Sequence, residues 1–549
     1  MSKNQILENI TIDKLIFGGK GLATASDGRK IIITGGCIPG SVVNVRVLKE
    51  KKSHYEGQQL DVVKKSPIEV PLPEGFQLYG GAKWLTIGYE DQLKIKEGQV
   101  KEAFYGILKW LDSCHSVAES SGAEESLSKS NIENLSVSSP KAQEKGIPTG
   151  GQKNPNFPTF HPIIPSPELY GYRNKVEFSW GKYISDREGV HDDFRFGFHA
   201  QGQFDRIIDC SYCALADKEI NDIFHDVDTF SRDSGLPTYD PKTGVGFWRH
   251  FVVRKAKKTG EIMLVFSVNG DWKETQTQTE DTMEYFFTKM VKDLSEKYKN
   301  IVSIYFLENM GRADIVTGNP VLLFGKSTIS DELLGLSFEI QPKSFFQVNT
   351  FGAEQLYIEA MNFIHHKGGT LLDLYAGTGT IGILLSKHFE KVYSVELVAD
   401  ASRDGEKNAE RNGVKNVEFV CNKAEVFARE FVERGGKADT IVIDPPRDGM
   451  HPSTLPNILS FGAKEIIYVS CNPATLARDL EVLIGKVPVT PLGRRPEQSE
   501  EVQSWDGDSQ GGSVSESLPK YKITDVTPVD MFPHTHHIET VVRLEKVDR

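Results

Sequence analysis

Residues 466 to 480 read IIYVSCNPATLARDL, an apolar run that ends in Cys471 and passes at once into Asn472 and Pro473. A cysteine at the end of such a run has two readings. It is a small apolar filler, or it is a nucleophile whose thiolate adds to an electron-poor carbon. A second stretch, GGTLLDLYAGTGTIGILLSKHF at 368 to 389, sets Gly377, Gly379 and Gly382 in GxGxxG register between an apolar run and a helical pattern. Glycines there let the backbone approach a nucleotide-like ligand at a helix N-terminus. Glu396 ends the run VYSVE, 17 residues past Gly379, where an acidic side chain accepts both hydroxyls of a ribose. On these residues alone a dinucleotide and S-adenosylmethionine fit equally.

The segment ADTIVIDPPRDGM separates the two ligands. Asp444 follows an apolar run, and two prolines stiffen the loop that would line a pocket at the strand's carboxyl end. An acid and two prolines after the fourth sheet strand resemble nucleic-acid methyltransferases and are foreign to dehydrogenases; a purely structural turn is the competing reading. In chain order the elements are a cofactor strand, an acidic second strand, a DPPR strand, an SCNP strand and a terminal FPHTHHIETVVRLEK strand. That order predicts an α/β doubly wound methyltransferase domain over 341–549.

The rest of the chain must carry and feed this domain. At 549 residues and 39% hydrophobic content it is long enough for several cores. No window is apolar enough for a membrane helix, and the polar start lacks a signal-peptide core, so a cytoplasmic protein with no membrane partner is expected. Six sparse cysteines argue against a disulfide framework. Residues 1 to 66 are short alternating runs split by glycines, which predicts a small β-barrel. Residues 1 to 65 hold 11 Lys plus Arg against 6 Asp plus Glu, although the whole chain is at −12. Such a basic barrel is either an RNA platform or simply a solvated face. Residues 67–112 and 152–340 read as a mixed α/β central region that binds RNA. Its Arg173, Lys175, Arg249 and Arg254 would meet phosphates, although solvated strand faces explain them as well. Segments 113–151 and 494–517 are rich in Ser, Glu and Gly and are expected to be disordered insertions.

Several of these motifs fit one family. LIFGGKGLA followed by IPGSVVNVRV looks like a TRAM domain, an oligonucleotide-binding (OB)-type barrel found on RNA-modifying enzymes. FEIQPKSFFQVN, DLYAGTGT, DPPRDGM, YVSCNPATLARDL and DMFPHTHHIE, in this order, resemble the uracil-5 RNA methyltransferase family, which forms 5-methyluridine in ribosomal or transfer RNA. The resemblance implies that Gln347, Tyr375, Gly377, Glu396 and Asp444 hold S-adenosylmethionine, that Cys471 is the nucleophile and that Glu539 accepts a proton. Uracil C5 is a poor nucleophile until a thiolate adds to C6, and the C5 proton must then leave for the thiolate to be expelled. An RNA partner and a monomer are expected.

One departure from the family pattern concerns metal. Members with an iron–sulfur cluster carry cysteines before a Tyr-x-x-Gln-Leu motif, and here Pro73, Tyr79 and Ala82 occupy those positions. Cys210 alone cannot hold a cluster, and the Cys210/Cys213 pair lacks the second pair that a zinc site needs. No metal and no iron–sulfur cluster are expected. Two alternatives remain: methylation at another base position, which needs no cysteine, and a non-catalytic RNA-binding protein with a methyltransferase fold.

Overall fold

The computed structural model describes residues 5–74, 76, 81–121, 157–185, 189–200, 206–270, 280–487 and 520–547. The chain begins with β1 (Ile6–Ile16), β2 (Lys20–Thr24), β3 (Lys30–Thr34), β4 (Val42–Glu50) and β5 (His54–Lys64). They close a barrel in the order β1-β2-β3-β5-β4, with β4 returning to β1. Alternation along the strands fills it with Ile12, Ile31, Ile33, Val43 and Val45 and leaves the intervening side chains outside.

Two helices follow, α1 (Tyr89–Ala103) and α2 (Tyr105–Ser121), and then a two-residue strand, β6 (Thr159–Phe160). These correct the expected domain limits. Val100, Phe104, Ile107 and Leu108 recur at helical spacing and pack with Leu372, Ile441 and Ile466 in the core of the C-terminal domain. The helices therefore belong to that domain and not to the central region. The expected boundary at 112 falls inside α2, which runs on to Ser121, so 113–121 is helix. The rest of that expected insertion, 122–151, and the whole of 494–517 lie outside the described residues. β6, also assigned to the central region by sequence, pairs with the sheet of the C-terminal domain.

The central domain comprises β7 (Lys175–Ser185), β8 (Val190–His199), β9 (Ile207–Asp209), α3 (Lys218–Asp233), β10 (Trp248–Lys255), β11 (Ile262–Asn269), α4 (Glu280–Lys297), β12 (Ile301–Asn309) and β13 (Asn319–Gly325). Its seven strands form a sheet in the order β13-β12-β11-β10-β7-β8-β9. Phe178, Trp180, Phe196, Trp248 and Phe251 form its aromatic core, with Trp180 stacked on Phe196 at 4.2 Å. Two of the four basic residues expected on its surface are interior. Arg249 is 1% exposed and donates to the carbonyls of Asn309, Gly311 and Ala313, and Arg254 donates to that of Ser344. Interior backbone carbonyls take up these guanidinium groups, so neither presents its charge on the surface as the sequence suggested.

A hairpin of β14 (Ile329–Leu333) and β15 (Leu336–Ile340) leads into the last domain. There follow α5 (Thr350–Asn362), β16 (Thr370–Leu374), α6 (Thr380–Leu385), β17 (Lys391–Glu396), α7 (Ala399–Arg411), β18 (Val417–Cys421), α8 (Ala424–Glu433) and β19 (Thr440–Ile443). The domain ends with α9 (Thr454–Phe461), β20 (Glu465–Ser470), α10 (Pro473–Leu483), β21 (Tyr521–Val529) and β22 (Glu539–Lys546). Its sheet order is β18-β17-β16-β19-β20-β22-β21-β6, parallel through β20 and antiparallel where β22 enters. Every residue of β19 and β20 is buried, as expected of strands covered on both faces. The strand order reverses between β16 and β19, and the crevice at their carboxyl ends is where such sheets bind ligands.

No described helix is long and apolar enough to cross a membrane. Cys210 and Cys213 are buried in the central core, and among the described residues no three or more His, Cys, Asp or Glu side chains cluster to hold a metal ion. Tyr79 lies outside the described residues.

Candidate active site

The three glycines after β16 do different work. Gly377 (φ +57°) has open space where a Cβ would stand, whereas a Cβ on Gly379 (φ +69°) would collide with the Phe419 ring and one on Gly382 with Ser394 Oγ. Gly377 therefore faces free volume, and the other two permit close packing of α6 on its neighbours. Tyr375, just before the loop, adopts φ +64°, an uncommon conformation for a side chain of that size. Its phenol is half-buried beside Thr454.

Glu396, at the end of β17, is tied to this loop. Its Oε2 accepts the Gly377 N–H at 2.9 Å and its Oε1 accepts the Val398 N–H at 2.8 Å. Asp373, on β16, accepts the Gly382 N–H at 2.9 Å and the Ser394 hydroxyl at 3.1 Å through one oxygen. Burial pushes its carboxyl up to about 7. Sequence reasoning did not single out Asp373, although it sits inside the DLYAGTGT motif at a position whose side chain must meet the helix that follows.

Asp444 follows β19 and stands beside Asp373. Burial, reinforced by Asp373, pushes its carboxyl up to about 7 as well. Gln347 reaches this group through Tyr357: its side chain bonds the Tyr357 hydroxyl, which faces Asp444. Gln347, Glu396, Asp444 and the glycine loop thus lie around the carboxyl ends of β16, β17 and β19.

Cys471 is the next residue beyond β20, half-buried, at the entrance to α10. Asn472 caps that helix by accepting the Ala474 N–H at 3.1 Å, with Pro473 in its first turn. The same Asn472 donates to the Arg447 carbonyl at 3.0 Å, and Thr475 donates to it at 3.2 Å. Arg478 donates to the Asp448 and Met450 carbonyls. The DPPR loop and the SCNP turn are therefore one hydrogen-bonded unit.

The β20–β22 ladder pairs Val469 with Val541 and Ser470 with Thr540, so the next position along it brings Cys471 opposite Glu539. Burial pushes the Cys471 thiol up to about 11; Glu539 and Asp444 add to the rise, and the Arg447 guanidinium opposes it. Burial and Asp444 hold the Glu539 carboxyl well above the usual carboxylate range, again against Arg447. Arg447 was not named from the sequence; its place two residues after the first proline of the strand-end motif was the available signal. His536 and His537, in the loop before Glu539, are kept neutral by burial, at about 4 and about 3. The barrel reaches the same place, since a Cβ on Gly19 in its β1–β2 turn would press on the His536 side chain. A polar cavity of about 270 Å³ lined by Tyr305, Glu339 and Asp404 lies elsewhere and includes none of these residues.

This arrangement has counterparts. Residues 326–490, a segment that contains Gln347 and Cys471, match the family model described as tRNA (Uracil-5-)-methyltransferase. An uncharacterized RNA methyltransferase of Caldanaerobacter subterraneus subsp. tengcongensis is 32% identical over 100% of both chains. The chain belongs to the uracil-5 RNA methyltransferase family. Another relative, an uncharacterized RNA methyltransferase of Clostridium tetani, is 31% identical over 98% of this chain and 97% of its own. The fold is also that of the Pyrococcus abyssi tRNA (uracil-54, C5)-methyltransferase solved with S-adenosyl-L-homocysteine. That structure has a TM-score of 0.63 at 22% identity and matches over 98% of this chain and 99% of its own. As a family member the protein is an RNA-modifying transferase.

Proposed function

We propose that the protein methylates C5 of a uridine in ribosomal or transfer RNA, using S-adenosylmethionine and a covalent adduct between Cys471 and uracil C6. One observation carries the reading: the strand register that sets Cys471 opposite Glu539, with Asp444 and Arg447 beside both. A reaction at an exocyclic amine would have no use for a thiol and a carboxyl so disposed.

The residues fit S-adenosylmethionine. The free volume over Gly377, the carboxylate of Glu396 at the end of the second strand and the Asp444 carboxyl form a donor and acceptor set suited to a ribose and a cationic head. Gln347, Tyr375, Gly377, Glu396 and Asp444 would hold it. When bound, it supplies an electrophilic methyl group.

In the free enzyme burial keeps Cys471 as a thiol and Glu539 as a neutral acid. Arg447 and the N-terminal end of α10 favour loss of the thiol proton to solvent as the RNA binds, and the thiolate then adds to C6 and raises the electron density at C5. Glu539 must first release its own proton to solvent; as a carboxylate it then takes the C5 proton once C5 is alkylated. The electron pair left behind restores the C5–C6 double bond and breaks the C6–S bond, which frees the thiolate.

The barrel has the strand order of an oligonucleotide-binding fold and, by resemblance, is a TRAM domain. Its β1–β2 turn lies against His536, three residues before Glu539, which supports a role in presenting RNA. Mapping 5-methyluridine by mass spectrometry in a strain lacking the gene tests the whole reading. Loss of one 5-methyluridine identifies the acceptor; an unchanged map with loss of another modified base rejects uracil C5.

A further inference from the structure

Residues 530–538 join β21 to β22, and Glu539 follows directly. Val529 and Glu539 pair in register, so the segment closes a hairpin. A loop of this length has many ways to close, and the aim of the Glu539 side chain depends on what ties it down.

Asn349 and Tyr172 donate to the Met531 and Pro533 carbonyls, and the side-chain ties at Asp530 and His534 come from α1, more than 430 positions away in sequence. Lys96, with no exposed side-chain surface, donates to Asp530 Oδ1 at 2.7 Å and to the Phe532 carbonyl at 2.9 Å. Gln92, one helical turn earlier and also buried, grips His534 twice. Its Oε1 accepts the His534 N–H at 2.8 Å, and its Nε2 lies 3.0 Å from His534 Nδ1. The Trp84 N–H donates to the His534 carbonyl at 3.0 Å. His534 has φ +62°, which few residues with a Cβ adopt unaided, so these bonds hold the backbone where it would not settle by preference. The hydrogen bonds of both side chains go to the loop and to α1's own surroundings, not to Cys471 or Glu539. Both act on the loop.

We propose that Lys96 and Gln92 are positioning residues for Glu539: by pinning the 530–538 loop at Asp530 and His534, they hold its carboxyl opposite Cys471. The proposal rests on the reading of Glu539 as the acceptor of the C5 proton. A buried Lys–Asp pair is a poor source of net stability, because desolvating both charges offsets much of their attraction. What it adds here is one geometry for the loop. If the carboxyl is misplaced, the proton stays on C5, the C6–S bond persists, and a methylated protein–RNA adduct outlives its normal span.

The test uses full-length Lys96→Met and Gln92→Leu with methyl-labelled S-adenosylmethionine and total RNA from a strain lacking the gene. Wild type and Glu539→Gln run alongside. Both variants are expected to form a labelled covalent band that wild type clears, with release slowed by about a hundredfold in Lys96→Met and cofactor affinity unchanged. A merely structural role would lower transfer and release together and leave their ratio at the wild-type value. That ratio in folded Lys96→Met and Gln92→Leu overturns the proposal. If Lys96→Met loses its cooperative melting transition, Gln92→Leu, which removes no charge, decides. A band from Glu539→Gln with none from the α1 variants rejects the positioning role alone. Absence of a band from Glu539→Gln rejects the reading of Glu539 and the positioning role with it.

Discussion

Cys471 and Glu539 stand across from each other on neighbouring antiparallel strands, one step beyond the Ser470–Thr540 pair. They are 68 residues apart in the chain, yet Glu539 adds to the cost of ionising Cys471 in a buried site. A group that attacks and a group that removes a proton are thereby held on one base, and their loss has different consequences.

Cys471→Ala is expected to form no covalent species. Glu539→Gln is expected to add to the base and accept the methyl group at C5, then to stall, because the thiolate cannot leave while the C5 proton remains. Substrate RNA, methyl-labelled cofactor and a denaturing gel read this out. The same band from Cys471→Ala would mean that another nucleophile operates.

Glu396→Ala removes an acceptor from the Gly377 and Val398 N–H groups and from the proposed ribose. Charge-assisted bonds of this kind are worth roughly 1.5 to 3 kcal/mol, so cofactor affinity falls by about one to two orders of magnitude. Calorimetry with S-adenosylmethionine measures it, and an unaltered dissociation constant moves the ribose elsewhere.

Asp444 gives a stability signature with a defined sign. Its carboxyl is pushed up to about 7 in the folded protein, above the ordinary unfolded value of about 3.9. Between those values the folded state holds a proton that the unfolded state has released, so stability falls as pH rises through the window and the full penalty stands above 7. Asp444→Asn is expected to melt higher than wild type at pH 8, by up to about 3 kcal/mol after allowance for partial solvent access, and to match it near pH 4. Methyl transfer by this variant falls at both pH values. Equal melting at pH 8 would show that the carboxylate is well solvated.

Lys20 lies exposed at the start of β2, beside the turn that meets His536. If the barrel grips phosphates there, Lys20→Glu weakens RNA binding at low salt and lowers the slope of log K against log salt by about 1 or more. Cofactor affinity is unaffected. An identical salt slope removes this part of the barrel from the RNA path.

Local chemistry is legible in the residues themselves. The GxGxxG turn, the acid 17 residues later, the double proline after a buried strand and a cysteine ahead of Asn-Pro are short-range patterns, because glycine, proline and capping residues act within a few positions of themselves. So is the alternation of the barrel strands. Long-range placement is not. Arg249 and Arg254 are interleaved with apolar residues as surface charges often are, and only packing shows them bonded to interior carbonyls. The segment holding α1 and α2 shares no local pattern with the catalytic sheet, yet it packs on it and ties down the loop that ends at Glu539. Above all, nothing in the spacing of Cys471 and Glu539 says that the chain passes β20, runs out to β21 and returns as β22 between them. Residue types, caps and turns write the chemistry of each motif into the sequence, but strand insertion order and register depend on burial summed over distant segments, and these bring the thiol and the carboxyl together.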